Sequence, residues 1–279
     1  MLRSLDKLPK LSPMTMRLLS TLAHRDCEVS ELAALVERDA LLSAQLLRMA
    51  NSATFSRLRR IENIPHAIAM VGLGTMRRLA LGASISNLFS HVKKAPNFSM
   101  VRFNLHSVAT GTLVELLSDE IPFDHPEGAF IAGLLHDVGK LLIAVGAPDL
   151  YEELLTIVAV RGTPMIECER EVLEMDHAEL SELAISRWDL PGPIQWAARY
   201  HHDPAEARMV EHLRPGRLGL SAAVHRANAF TNFLGVSVVP PFGTSQEAPS
   251  LEFPGFQVSE ERIIQRFQDE WKNLGELFG

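Results

Sequence analysis

Cysteine is nearly absent from this chain. Cys27 and Cys168 are the only two in 279 residues. They stand too far apart to suggest a disulfide framework, and such usage fits a reducing compartment. Basic charge is not in surplus: 27 Lys and Arg against 34 Asp and Glu leave a formal net charge of -7. That argues against a binder of the nucleic-acid backbone, whose affinity rests on clustered Lys and Arg. The basic pairs Arg59-Arg60, Arg77-Arg78 and Lys93-Lys94 read as solvated helix surface. The first residues, MLRSLDKLPKLSP, lack the apolar core of a signal peptide, and no run is expected to approach a membrane span. A cytoplasmic protein with neither nucleic acid nor membrane as partner is expected. What is present, 47% hydrophobic and 22% charged residues, is ordinary globular composition for one large domain or two small ones.

The most informative stretch is residues 124–146, DHPEGAFIAGLLHDVGKLLIAVG. Its apolar residues fall on nearly every side of a helix, which predicts a helix buried all round. Asp124 with Glu127 forms a capping-box pattern, and Pro126 is tolerated in a first turn. This buried helix nevertheless carries His136, Asp137 and Lys140. A lone ionised carboxylate there costs several kcal/mol, so Asp137 needs a metal, a cation or a dense set of donors.

The rest of the chain predicts an all-α fold, a two-part helical bundle with a C-terminal helix. Helices are expected over roughly 13–25 (Met14, Leu18, Leu19 and Leu22 at helical spacing, Ser12 as cap), 29–39 (Ser30 as cap) and 40–50. Asn51-Ser52 ends the third, either as local caps or as part of a ligand pocket. Helices at 65–71 and 75–89 follow, and residues 90–100 form a polar boundary. The division expected is 1–92, an N-terminal helical half; 93–234, a second helical half; and 235–279, a linker with a last helix. Within the second half, helices are predicted at 99–118, 148–161 and 164–174, and from His177, capped by Asp176 and Glu179, to about Trp188. Another follows the turn DLPGP and is stopped by Pro204, and one spans about 216–233. Residues 235–255 read as linker or surface strap. The last helix, 259–277, carries Ile263, Phe267, Trp271, Leu274 and Phe278 along one stripe, docked on the body or on a second copy as a homodimer.

Helical spacing aims His106 inward beside Phe103, Ala109 and Leu113, and His201 inward beside Ile194, Ala197 and Ala198. With His136-Asp137, His177, His202 and Asn228, these polar candidates lie on five successive helical segments that a bundle can bring to one centre. Imidazoles with a carboxylate suit iron, manganese, zinc or nickel, in a mononuclear or dinuclear site, better than calcium or magnesium. Any one of them alone also reads as a core histidine, hydrogen-bonded around Asp137.

At His136-Asp137 with Gly139-Lys140 the chain resembles the HD superfamily of metal-dependent phosphohydrolases. The LPxL-like start, RMANSATF and HAIAMVGLGTMRRLAL narrow the resemblance to HDOD, the HD-related output domain of bacterial signalling proteins, over about Leu8 to Asp203. The resemblance implies that His106, His136 and Asp137 would hold one metal, that Asp137 would bridge, and that His177, His201 and His202 would serve a second. Lys140 would contact a phosphate. Asn228 stands where the HD pattern ends in Asp, which weakens the first metal. The residues DPAEARMVE after His201-His202 lack the DGxGYP-like extension of the HD-GYP hydrolases. Two functions follow from the resemblance: a regulatory output protein acting through a signalling protein partner or nucleotide, or an active metal-dependent phosphohydrolase on a nucleotide or cyclic dinucleotide, with Asp137 and Lys140 in its catalytic machinery.

Overall fold

The structure is a computed structural model, and it describes residues 11, 15–19, 28–51, 61–207, 209–239 and 248–278. Among them the chain is all-α: there is no strand, and the one β-type pairing is an isolated parallel bridge between Phe123 and Leu218. It folds as two compact units, one holding residues 11–90 and 261–279 and the other residues 91–260.

In the first unit, residues 15–19 are helical and bury Leu18 and Leu19. Ser12, Met14, Leu22, Cys27, Ser52 and Arg59-Arg60 lie outside the described residues. Helix α1 (Val29–Val36) starts at Val29 as expected and ends three residues sooner, and with Glu28 in the capping position Ser30 sits inside the first turn. Its hydroxyl donates to Glu28 Oε2 at 3.3 Å instead of capping. Helix α2 (Ala40–Ala50) is capped by Asp39, which accepts from Leu42 N–H at 3.0 Å. At its end Asn51 acts as a local clamp: its Nδ2 donates to the Leu47 and Ile61 carbonyls at 2.8 and 2.7 Å, and its Oδ1 accepts from Ile61 N–H at 2.8 Å. Helices α3 (Ile64–Val71) and α4 (Leu73–Leu88) meet at a 118° bend. Gly72 makes that bend at φ 91°, a conformation glycine adopts freely. Arg77 and Arg78 are not solvated surface as the sequence suggested. Both are buried in α4, where Arg78 Nη1 pairs with Glu270 Oε2 at 2.7 Å on the C-terminal helix Glu260–Phe278. That helix buries Ile263 and Phe267, with Trp271 stacked on Phe267; the side chains of Leu274 and Phe278 are outside the described set.

The second unit is built on α5 (Met100–Glu120), capped by Ser99 Oγ on Arg102 N–H. Residues 124–146 are not one helix. A 3-10 turn (Pro126–Gly128) leads into α6 (Ala129–Leu135), the chain turns at His136-Asp137, and α7 (Val138–Gly146) follows. The Asp124–Glu127 capping box does not form. Arg214 takes the Asp124 carboxylate and donates to its backbone carbonyl at 2.8 Å, because a guanidinium outcompetes a backbone amide for a carboxylate. By length and composition Pro126–Gly146 does reach a membrane span, contrary to the sequence expectation, yet 89% of its apolar window is buried inside the fold.

Helices α8 (Pro148–Arg161), α9 (Met165–Val172), α10 (His177–Arg187), α11 (Gly192–Tyr200), α12 (Pro204–Ala207) and α13 (Leu220–Phe233) complete the unit. The Asp176–Glu179 capping box opens α10 as predicted. Helix α13 starts later than the sequence pattern suggests, because Leu218 pairs with Pro122 and Asp124 in the bridge. Two close crossings position the polar residues. A Cβ on Gly133 would lie 2.6 Å from Gly111 Cα, where α6 meets α5. One on Gly139 would lie 1.9 Å from the His177 carbonyl, where α7 meets α10.

Candidate metal centre

His106 comes from α5, His136 and Asp137 from the α6–α7 turn, His177 from the first residue of α10, and His201-His202 from the exit of α11. All are buried at 0–1% exposure except the half-buried His202. Four of the rings are fixed by their Nδ1 atoms. His106 Nδ1 donates to the Val236 carbonyl at 2.7 Å, His136 Nδ1 to Gly133 at 2.8 Å and His201 Nδ1 to Ala198 at 2.7 Å. His177 Nδ1 donates to Glu169 Oε2 at 2.5 Å. A carbonyl can only accept, so at His106, His136 and His201 the Nδ1 carries a proton, which leaves the Nε2 as the atom able to offer a lone pair.

Those Nε2 atoms converge on Asp137. Its Oδ2 lies 3.3 Å from His106 Nε2 and 3.5 Å from His136 Nε2; its Oδ1 lies 3.3 Å from His177 Nε2 and 3.5 Å from His201 Nε2. The imidazoles also crowd one another, with 3.3 Å between the Nε2 atoms of His106 and His136 and 2.9 Å between those of His177 and His202. Two ligand groups result, His106–His136–Asp137 and His177–His201–His202, on opposite oxygens of one carboxylate.

The donor set fits transition-metal ions. Wherever two of these Nε2 atoms, or an Nε2 and the carboxylate, meet without a proton between them, they repel unless a cation lies there. Asp137 Oδ1 and His201 Nε2 are buried without a hydrogen-bond partner, an arrangement that costs stability in a dry interior. Ligands sharing an ion at bond lengths of about 2.0–2.1 Å stand about 3.3 Å apart in a tetrahedral site, and the separations here match. His106, His136, Asp137, His177, His201 and His202 are therefore the residues that would hold such an ion or ions.

The electrostatics agree. Burial alone would raise the Asp137 carboxyl, but Lys140, His136, His106 and His177 overcome it and hold the group well below the usual range, so it is ionised. Burial pushes His136, His201 and His202 down, towards the neutral form a metal binds. His177 goes the other way: burial opposes its charge, but the Glu169 carboxylate lifts it to about 9.

Two further candidate residues have protein partners in this structure. Lys140 Nζ donates to Asp137 Oδ2 at 2.6 Å and is spent on that carboxylate in this structure. Asn228 is buried on α13 with its Oδ1 accepting from Asn232 Nδ2 at 2.8 Å within its own helix, and it makes no hydrogen bond to the imidazoles. Two residues were missed by sequence reasoning. Glu169, fully buried, orients His177; the signal was its spacing four residues after Met165 on the inner face of α9. Val236 orients His106 through a backbone carbonyl, for which side-chain patterns give no signal.

Comparison with known proteins agrees with this architecture. The HDOD domain family model matches residues 8–204. An uncharacterized protein of Treponema pallidum (strain Nichols) is 25% identical over 231 residues, 82% of this chain and 43% of its own length, so the chain spans less than half of that curated relative. Among solved structures, an HDOD domain protein of unknown function from Geobacter sulfurreducens superposes with a TM-score of 0.70 at 22% identity, covering 97% of this chain and 91% of its own. A Marinobacter aquaeolei VT8 protein, provisionally named a signal transduction protein, gives 0.74 at 18% identity over 99% of this chain and 59% of its own. A Shewanella amazonensis SB2B protein, provisionally named a phosphohydrolase, gives 0.67 at 21% identity over 99% and 96%. With the family match covering most of its length and its fold shared by these structures, the chain belongs to the HDOD domain family.

Proposed function

We propose that this chain is a bacterial signal-transduction output domain, acting by binding a protein or nucleotide partner, in which a transition-metal centre holds residues 91–260 in their binding form. The observation that carries this reading is the closure of the centre: five of its six ligand residues are buried at 0–1% exposure. Structural metal sites are closed, whereas catalytic ones keep a position open for substrate. When bound, the metal would supply positive charge that satisfies the converging lone pairs, together with Lewis acidity. The residues do the rest. Asp137 presents one oxygen to each imidazole group, and the carbonyls of Gly133, Ala198 and Val236 hold three of the rings.

The test is metal content per chain, on protein purified without a metal-affinity step or chelator, together with turnover of bis(p-nitrophenyl) phosphate and cyclic dinucleotides. One or more equivalents of transition metal, lost in Asp137→Ala, with no turnover, is expected. Absence of metal above background would sink the proposal.

A second reading, an active phosphohydrolase, is favoured by the completeness of the ligand set around Asp137. Asn228→Asp separates the two. Restoring a carboxylate at that position would raise hydrolysis at least tenfold in a weakened enzyme and leave a regulatory domain unchanged.

A further inference from the structure

The two halves of the centre are not equivalent. Asp137 Oδ2, which faces His106 and His136, already carries a cation: Lys140 Nζ lies 2.6 Å away. Asp137 Oδ1 faces His177 Nε2 at 3.3 Å and His201 Nε2 at 3.5 Å, and it is one of two buried atoms in the centre without a hydrogen-bond partner. The other is His201 Nε2, on the same side and 3.5 Å from that oxygen. Both atoms left without a hydrogen-bond partner therefore lie in the half made by Asp137 Oδ1, His177, His201 and His202.

Resting on the metal-centre reading above, we propose that the centre takes a single transition-metal ion, in the His177–His201–His202 half, and that the Lys140 ammonium is the built-in cation of the other half. Lys140 is well placed for this. It lies three residues after Asp137 on α7, so its reach to the carboxylate is local, and its side chain is 11% exposed. The Lys140 ammonium already occupies the cation position on the carboxylate oxygen that faces His106 and His136. A divalent ion there would sit against the ammonium on the same carboxylate oxygen in a dry site, where like charges repel strongly. In the other half the three imidazoles form a ligand group of the kind transition metals favour, and Asp137 Oδ1, 3.3 Å from His177 Nε2 and 3.5 Å from His201 Nε2, adds a carboxylate oxygen beside it. Three of its four members are held by partners outside the site: His177 by Glu169, His201 by the Ala198 carbonyl, and Asp137 by Lys140.

The charge argument leads to a variant that gains an ion. Lys140→Met keeps the length and apolar stem of the side chain and removes the ammonium. The His106–His136–Asp137 half would then bind an ion on the order of a hundredfold more tightly.

The experiment loads the full chain with excess Zn²⁺, desalts it, and counts zinc by elemental analysis. It compares wild type with Lys140→Met, His136→Ala and His177→Ala, each checked for native helicity by circular dichroism. Expected are one equivalent in wild type, two in Lys140→Met, one in His136→Ala and none in His177→Ala. Two equivalents in wild type would overturn this inference while leaving the metal-centre reading intact. One equivalent in both wild type and Lys140→Met would overturn the role of Lys140. Retention in His177→Ala with loss in His136→Ala would overturn the choice of half, and no zinc in wild type would overturn both readings. Should Lys140→Met fail to fold, Lys140→Gln provides the same charge removal with a polar end.

Discussion

One oxygen of Glu169 accepts two hydrogen bonds from His177, lying 2.8 Å from its backbone N–H and 2.5 Å from its Nδ1. The contact fixes the ring and increases the basicity of the Nε2 that faces Asp137, as outer carboxylates do for metal-binding histidines. It also ties the first turn of α10 to α9, so the same bond serves structure and site.

Glu169→Gln keeps an acceptor but removes the charge, and Glu169→Ala removes both. Zinc affinity, measured by competition with a chromogenic chelator, should fall roughly tenfold in the first and up to about a hundredfold in the second. A purely structural role would instead lower the melting temperature of both variants with affinity unchanged in whatever remains folded.

Gly139 permits the crossing of α7 and α10, because a Cβ there would stand 1.9 Å from the His177 carbonyl. Gly139→Ala should cost about 3 kcal/mol and displace His177 from Asp137, so zinc retention and thermal stability fall together. Gly74, on α4, has open space around its Cβ position. Gly74→Ala should be neutral or stabilising by up to about 1 kcal/mol. Equal thermal shifts in the two variants would contradict this account.

Asn51 shows how a polar residue near a helix end is assigned to structure. Its three hydrogen bonds close α2 onto Ile61. At about 1 kcal/mol each, Asn51→Ala should destabilise the protein by roughly 2–3 kcal/mol in urea denaturation without altering metal content. A loss of metal in folded Asn51→Ala would return Asn51 to the ligand-binding alternatives.

Much of the second unit was legible because its signals are local. Asp176 and Glu179 are three residues apart, so their capping box could be read directly, and it placed His177 in a first turn. His106 was aimed inward by its spacing from Phe103, Ala109 and Leu113 on one helix. What could not be read depends on partners distant in sequence or on backbone atoms. Asp124 is taken by Arg214, ninety residues away, and no local pattern announces that competition. The turn at His136-Asp137 hides inside a stretch that is apolar on every side, since uniform burial erases the periodicity that would mark a break. The identity of the candidate ligands is thus a sequence property, whereas the orientation of three of their rings is set by carbonyls at positions 133, 198 and 236.

A metal held by these Nε2 atoms would compete with protons for them, and the sign of that competition follows from the surroundings of each ring. Burial lowers His136, His201 and His202, while Glu169 overcomes burial at His177 and lifts it to about 9. Below about 6.5, the unfolded chain takes up protons at the three lowered imidazoles that the folded chain refuses, so their contribution to stability grows as pH rises. Between about 6.5 and 9 the sign reverses, because folded His177 keeps a proton that the unfolded chain has released. Its contribution is complete below the ordinary imidazole range and is lost as pH climbs through 9. The centre should therefore favour the metal-free fold most near pH 6.5, with slopes of about 1.4 kcal/mol per pH unit for each net proton. Metal binding must displace the His177 proton, so zinc affinity should rise about tenfold per unit from pH 7 towards 9 and then level off. His177→Gln should abolish that rise. A wild-type affinity that stays flat from pH 7 to 9 would mean that His177 keeps its proton when zinc binds, and the ion would then have to be held by ligands other than the set around Asp137 Oδ1.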